Sequence, residues 1–124
     1  MLPHRQLAME AFMSKNAETK DRIRRLNDDL RQTFTGGGVV MTDGVAAIPE
    51  GDLAKLLERV RRFGEFTKDN DPHGEHDFGT IDLAGQTYFF KVDYYAPDMD
   101  GGSEDPADPE QTVRVMTIMR ADEY

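Results

Sequence analysis

The segment from Asp69 to Gly79 contains the densest group of side chains in this sequence that could bind a cation or move a proton. Two of the three histidines lie there among four acidic residues and two glycines. The candidate residues are Asp71, His73, Glu75, His76 and Asp77. This segment is therefore the first place to look for a functional site.

A metal site is one interpretation of the segment. His73 and His76, with Asp71 as an oxygen ligand, offer the imidazole and carboxylate groups that suit divalent transition metals. The chain has no cysteine and no His-Glu-x-x-His pattern, so no established metal spacing is present. We expect no cofactor, and we keep a divalent transition metal as the alternative.

Two other interpretations stay open. His73 or His76 could pair with a carboxylate as an acid or base, because imidazole titrates near neutral pH. Alternatively the segment is a rigid connector, in which Pro72 fixes a turn and aspartate side chains accept backbone N–H bonds. Turn chemistry alone accounts for most of the residue types present.

Two amphipathic helices are predicted around this segment. Apolar residues recur at helical spacing from Thr19 to Phe34, and again after Asp52. The first apolar stripe consists of Ile23, Leu26, Leu30 and Phe34, and the second of Leu53, Leu56, Leu57, Val60 and Phe63. Leu7, Ala8, Ala11 and Phe12 also have helical spacing, which predicts a helical or frayed N-terminal extension over residues 1–20. Met13 is an alternative start of the chain.

The rest of the pattern predicts strands. Val39 to Thr42 and Val45 to Ile48 are β-prone and predict one strand or two short ones. Thr80 to Ala84 and Thr87 to Tyr95 form a hairpin pattern, and Thr112 to Arg120 is the last strand. Alternation along the strands predicts a core-facing side and an open sheet face. The residues predicted for the open sheet face are Lys91, Asp93, Tyr95 and Arg114.

This order of elements predicts an α+β fold, a two-layer sandwich with two to three helices packed on an antiparallel sheet of three to five strands. Residues 21–124 are expected to form a single domain, since 124 residues suffice for one hydrophobic core. The oligomeric state stays open.

Charge is distributed unevenly along the chain. Residues 1–68 have a net charge of +2, whereas residues 69–124 carry 3 basic and 14 acidic groups, a net charge of −11. Such a field repels phosphate backbones, so direct nucleic-acid binding through this half is not expected, and a basic protein surface is the expected partner. The acidic loop, Ala96 to Gln111, supplies six of the carboxylates, those of Asp98, Asp100, Glu104, Asp105, Asp108 and Glu110.

These observations favour a small acidic interaction protein over an enzyme. We expect a non-catalytic regulator or inhibitor that binds a basic protein surface, with a nucleic-acid mimic that blocks a CRISPR complex as one concrete form. The alternative is a metal-dependent hydrolase or nuclease that uses Asp71, His73, His76 and Asp77. The chain has no run of about 18 apolar residues and no signal peptide pattern, so a cytoplasmic protein with no membrane association is expected.

A family resemblance rests on several motifs between Ile23 and Tyr124. They are Arg24-Arg25-Leu26-Asn27-Asp28, Gly36 to Val40, Asn70 to Gly79, Lys91 to Tyr95, Ser103 with Asp105 to Pro109, Arg114 to Met119 and Glu123-Tyr124. Together they resemble a bacterial family of small proteins known as domain of unknown function 3768. The resemblance implies a cytoplasmic bacterial protein often encoded near mobile elements, and it implies no activity and no catalytic residues.

Overall fold

A computed structural model describes the backbone from His4 to Tyr124 and the side chains from Lys15 onward. Three α-helices, four strands and two short 3₁₀ helices make up the described chain. In order, they are α1 (His4–Thr33), β1 (Gly38–Met41), α2 (Asp43–Ala46), α3 (Glu50–Arg61), β2 (Phe78–Leu83), β3 (Gln86–Tyr95), a 3₁₀ helix (Pro109–Gln111), β4 (Val113–Arg120) and a second 3₁₀ helix (Ala121–Glu123).

The four strands form one sheet in the order β1-β4-β3-β2. Strands β2, β3 and β4 are antiparallel neighbours, whereas β1 lies parallel to β4. The predicted α+β fold is confirmed, but the sheet is mixed and not purely antiparallel. The predicted hairpin is also confirmed, and its turn at Ala84 and Gly85 has positive φ at both residues, as a tight two-residue turn requires.

The hydrophobic core lies on one face of the sheet, where the helices pack. Helix α3 places its predicted apolar stripe there, with Leu56 and Val60 fully buried. The sheet contributes alternate residues of β2, β3 and β4, as strand geometry requires. These buried sheet residues are Ile81, Tyr88, Phe90, Val92, Met116 and Ile118. A side chain larger than hydrogen at Gly79 would meet the rings of Phe90 and Phe63, so β2 approaches the core closely at this glycine.

The N-terminal region forms one continuous helix, α1, from His4 to Thr33. This differs from the sequence pattern, which predicts a short helix or frayed segment followed by a separate helix from Thr19. The predicted stripe at Leu7, Ala8, Ala11 and Phe12 lies outside the described side chains. Among the described helices, none is both long enough and apolar enough to cross a membrane.

The prediction of a strand at Val45 to Ile48 is wrong, because Asp43–Ala46 forms helix α2. A carboxylate distant in sequence explains the difference. Glu123 accepts hydrogen bonds from the Thr42 hydroxyl at 2.7 Å and from the Gly44 N–H at 3.0 Å. A carboxylate at this position satisfies an N–H group that the first helical turn leaves unpaired. Val45 is fully buried as a result of this turn.

Candidate functional site

Polar residues of α1 are buried against the rest of the domain. Asn27 is fully buried and Arg31 is 3% exposed. The predicted apolar stripe of α1 includes Leu26 and does not include Arg31. In the structure Ile23, Asn27, Leu30 and Arg31 form the buried face instead. The sequence contained one signal of this, because Asn27 follows Ile23 by four residues and precedes Leu30 by three, which places it on the same face of the helix.

The Asn27 side chain joins three separate parts of the chain. Its amide nitrogen donates to the backbone carbonyl of Glu75 at 3.0 Å and to the hydroxyl of Tyr94 at 2.7 Å. Its amide oxygen accepts from Arg114 Nε at 2.6 Å. The Tyr94 hydroxyl in turn donates to Glu75 Oε1 at 3.1 Å. Both amide N–H donors of Asn27 are therefore used, and the network ties α1 to the 69–79 segment and to the sheet.

Arg114 does not belong to the open sheet face. It is 3% exposed and pairs in register with Tyr94, so both side chains lie on the helix-covered side of the sheet. Its guanidinium carbon is 5.1 Å from the centroid of the Tyr94 ring, and Nη2 donates to the carbonyl of Pro106. Burial lowers the pKa of Arg114 and raises that of Tyr94. The predicted placement failed because alternation assigns a residue to a face but does not say which face carries a buried polar network.

Asp71 holds the turn at the centre of the 69–79 segment. It is 8% exposed, and its Oδ1 accepts the backbone N–H groups of Glu75 and His76, each at 3.1 Å. Its carbonyl accepts from Gly74 N at 3.1 Å. These bonds hold His76 in the left-handed region, at φ 56°, a conformation that only a few per cent of non-glycine residues adopt. This carboxylate therefore orders the segment from within.

His76 lies between two carboxylates and against an aromatic ring. Its Nδ1 is 2.8 Å from Asp28 Oδ1, and its Nε2 is 3.7 Å from Asp71 Oδ2. The imidazole stacks on Phe66, with centroids 3.8 Å apart and planes 4° apart. Arg31 Nη1 donates to the same Asp28 oxygen at 2.9 Å. The ring of His76 is therefore fixed by a hydrogen bond at Nδ1 and by stacking on Phe66, while Nε2 faces Asp71 beyond hydrogen-bond distance.

His73 does not join His76. It is exposed, and among the described side chains it forms no hydrogen bond or ion pair, although it lies near enough to attract the carboxylates of Glu75 and Asp77. Across the described residues, no group of three or more His, Asp or Glu side chains is placed to hold a metal ion. The structure thus brings two of the predicted ligands together, Asp71 and His76, but does not add His73 as a third.

Glu75 and Asp77 are half-buried carboxylates. Desolvation by burial raises the pKa of each above its usual value, and repulsion from neighbouring carboxylates adds to this. For Glu75 the Tyr94 hydroxyl opposes the shift by donating a hydrogen bond. A carboxylate with a raised pKa is a common feature of acid catalysts, but Glu75 is also part of the Asn27 network.

The remaining candidate residues lie away from this network. Lys91 and Asp93 form an ion pair at 2.5 Å on the side of β3 opposite the helices, and Tyr95 lies on the same side. The acidic loop follows Tyr95 and returns to the sheet at Val113. The open side of β3 is therefore separate from the Asn27 network, whereas the acidic loop reaches that network through the Pro106 carbonyl, which Arg114 binds.

Comparison with known proteins now adds one finding. Residues 41–123 match the model of a family described as "Protein of unknown function (DUF3768)". The chain belongs to this family. No curated protein and no solved structure matches it.

The DUF3768 segment covers only part of the Asn27 network. It contains the 69–79 segment, Tyr94 and Arg114, whereas Asn27, Asp28 and Arg31 on α1 precede it. The resemblance proposed from sequence extended back to Ile23, and its part before residue 41 stays a prediction. Within the family segment, the groups that bind Asn27 of α1 are the Glu75 carbonyl, the Tyr94 hydroxyl and Arg114 Nε.

Replacing Asn27 with leucine tests whether the network stabilises the fold. The Asn27→Leu substitution keeps a similar volume but leaves Arg114 Nε and the Glu75 carbonyl without their partner. Breaking a buried network of this kind lowers the free energy of unfolding by about 2–4 kcal/mol. Urea unfolding measures the change, and Gln32→Leu on the exposed side of α1 is the matched control, expected within about 0.5 kcal/mol of wild type. Equal stability of the two variants would contradict a structural role for Asn27.

The raised pKa of Glu75 predicts a pH-dependent effect of Glu75→Gln. Because the folded-state pKa lies above the usual 4.5, the native state binds the proton more tightly, and stability decreases as pH rises through the folded-state pKa. Glutamine keeps an oxygen acceptor for Tyr94 and never ionises. Unfolding measured across pH should show the variant gaining stability over wild type at neutral pH and losing that advantage below pH 4.5. The exposed control Glu65→Gln should show no such trend, and a pH-independent difference for Glu75→Gln would refute the burial argument.

Proposed function

We propose that this DUF3768 protein is a non-catalytic interaction protein that binds a basic surface of a protein partner through its acidic loop. The observation that carries the proposal is the construction of this loop. Three of its carboxylates fix the conformation of the loop, and the other three are exposed and bind no described side chain. Such an arrangement presents negative charge to a partner with little loss of conformational freedom on binding.

Hydrogen bonds tie the middle of the acidic loop to the strands on either side of it. Ser103 N donates to the carbonyl of Tyr94 in β3 at 3.0 Å. The hydroxyl of Thr112, which precedes β4, donates to the Asp105 carbonyl at 2.9 Å. Arg114 adds its bond to the Pro106 carbonyl. These contacts make the loop an extension of the sheet and of the buried network.

The six carboxylates of the loop fall into two groups. Asp98, Asp105 and Asp108 each accept a backbone N–H two residues ahead, at 2.9 Å, 3.2 Å and 2.9 Å. These are the local bonds typical of Asx turns. The other three carboxylates are exposed and form no hydrogen bond or ion pair with any side chain that the structure describes. They belong to Asp100, Glu104 and Glu110.

Charge determines the class of partner. The net charge of −11 over residues 69–124 favours association with lysine- and arginine-rich surfaces and opposes association with nucleic acid. Carboxylates on an ordered loop can also occupy a surface that normally binds phosphates. We therefore propose more specifically that this protein inhibits a nucleic-acid-binding protein in the bacterial cytoplasm.

No described contact favours the metal-dependent hydrolase as a second function. Asp71 Oδ1 and His76 Nδ1 are engaged within the fold, His73 is exposed, and no three candidate ligands converge among the described residues. The hydrolase stays a prediction from the sequence, and the contacts of the 69–79 segment support a connector that orders the domain.

Neutralising the three outward carboxylates tests the proposal. The triple variant Asp100→Asn/Glu104→Gln/Glu110→Gln leaves the turn-forming aspartates intact. Wild-type protein immobilised as bait in a bacterial lysate should retain a basic protein. Raising the salt concentration from about 0.15 M to about 0.5 M should release that protein, because salt shortens the Debye length, from about 8 Å at 0.15 M to about 3 Å at 1 M. The triple variant should fail to retain that protein at about 0.15 M salt.

A matched control separates the effect of the loop carboxylates on binding from the effect of the net charge of the protein. The triple variant Glu18→Gln/Asp29→Asn/Glu65→Gln removes the same three charges from exposed positions outside the loop. It should retain the partner as wild type does. Retention of the same partner by the loop variant would show that the loop carboxylates do not bind it.

A further inference from the structure

Strand β2 forms one edge of the sheet. It is the last strand in the order β1-β4-β3-β2, and among the described strands it pairs only with β3. The strand at the opposite edge, β1, has four residues, whereas β2 has six. Native proteins often protect a free strand edge with proline or lysine, and β2 contains neither. The edge of β2 is therefore a candidate surface for pairing with another chain.

The ladder between β2 and β3 shows which backbone groups face this edge. The Val92 N–H donates to the Asp77 carbonyl, so the backbone of Asp77 bonds towards β3. Residues of an antiparallel pair alternate between bonded and non-bonded positions. Phe78, Thr80 and Asp82 therefore direct their N–H and C=O groups away from β3. No backbone group elsewhere in the described chain bonds to those of Phe78 or Thr80.

Arg59 of α3 supports this direction, because its Nη1 donates to the Asp82 carbonyl. The guanidinium group has five N–H donors, and Arg59 is exposed. It forms no ion pair with any carboxylate that the structure describes. A carboxylate on a chain that pairs with β2 would therefore complement the charge of Arg59.

A cleft lies beside the same edge, on the side of the sheet that the helices cover. It has a volume of about 500 Å³, and its lining includes Phe63 and Gly64 after α3 and Thr80 and Ile81 of β2. A residue of an added strand that lies opposite Ile81 projects its side chain to the same side of the sheet as Ile81. Alternate side chains of an added strand would thus enter the cleft beside Phe63.

We propose that the free edge of β2 pairs with an extended segment of a partner protein, which places apolar side chains in the cleft and a carboxylate beside Arg59. In such strand addition, backbone hydrogen bonds supply affinity and side-chain pockets supply specificity. The edge is separate from the acidic loop, so the inference goes beyond the proposed function and does not depend on it. A second copy of this chain is a poorer occupant, because each copy has a net charge of −9 and the one carboxylate of β2, Asp82, binds the Thr87 hydroxyl.

Backbone methylation of a peptide tests strand pairing without a known partner. The probe is a six-residue peptide, as long as β2, with the sequence Thr-Val-Thr-Val-Thr-Glu and blocked termini. Two further peptides carry N-methyl groups on either the odd or the even residues. A strand that is paired on one side bonds through alternate residues only. In calorimetric titration one methylated peptide should therefore bind as the probe does, and the other at least about 10-fold more weakly, because it loses backbone hydrogen bonds.

Variants locate the binding edge. Thr80→Pro removes an N–H that faces the edge without removing a bond to β3, and it should weaken binding of the probe at least about 10-fold. Thr80→Val is the matched control, because it keeps the N–H, and it should bind as wild type does. Wild type should bind the probe about 3-fold more tightly than a peptide with glutamine in place of glutamate, and Arg59→Gln should lose this preference.

Hydrogen exchange on the wild-type protein gives the same answer should Thr80→Pro fold poorly. In the free protein the amides of Thr80 and Asp82 should exchange faster than those of Gly79 and Ile81, which bond to β3. Addition of the probe should slow exchange at Thr80 and Asp82. Unchanged exchange at both residues in the presence of the probe would contradict pairing at this edge.

The remaining outcomes separate this inference from its alternatives. No binding of the probe, equal binding of the two methylated peptides, or equal binding to Thr80→Pro and Thr80→Val would overturn the inference. A dimer in sedimentation equilibrium that Thr80→Pro dissociates would identify a second copy as the occupant, which also overturns it. The triple variant of the acidic loop should bind the probe as wild type does, and loss of binding in that variant would place the peptide on the loop instead of the edge.

Discussion

The fully buried side chain of Asn27 is the interaction on which the arrangement of this domain depends. One amide group binds the 69–79 segment through the Glu75 carbonyl, strand β3 through Tyr94 and strand β4 through Arg114. A buried amide must be satisfied on both its oxygen and its nitrogen, so the three partners cannot shift independently. The orientation of α1 over the sheet is thereby coupled to the conformation of the histidine-containing segment.

Arg114 extends this constraint to the acidic loop. Its guanidinium binds Asn27 on one side and the Pro106 carbonyl on the other. The buried polar groups of the core and the exposed carboxylates of the loop are therefore parts of one connected structure. The histidine-containing segment belongs to the same structure, because the Glu75 carbonyl accepts a hydrogen bond from Asn27.

Periodic patterns predicted much of the fold, but long-range polar contacts were not predictable. Helix α3 and the hairpin follow from their own residue spacing. The sequence could not show that Glu123 caps the turn at Gly44, because the two residues meet only in the folded chain. It likewise could not show which carboxylates His76 would contact, since Asp28 is 48 residues away. The turn role of Asp71 was an open alternative in the sequence, and the structure provides its contacts.

Hydrogen exchange tests the central claim, that the 69–79 segment is an ordered connector. The amide hydrogens of Glu75 and His76 bind the buried Asp71 carboxylate. The Val92 amide binds the Asp77 carbonyl, at the point where the segment joins strand β2. We expect the Glu75 and His76 amides to exchange slowly, at rates close to that of Val92, because they open only with the domain. Exchange of these two amides at the rate of an unstructured loop, with Val92 still protected, would contradict it.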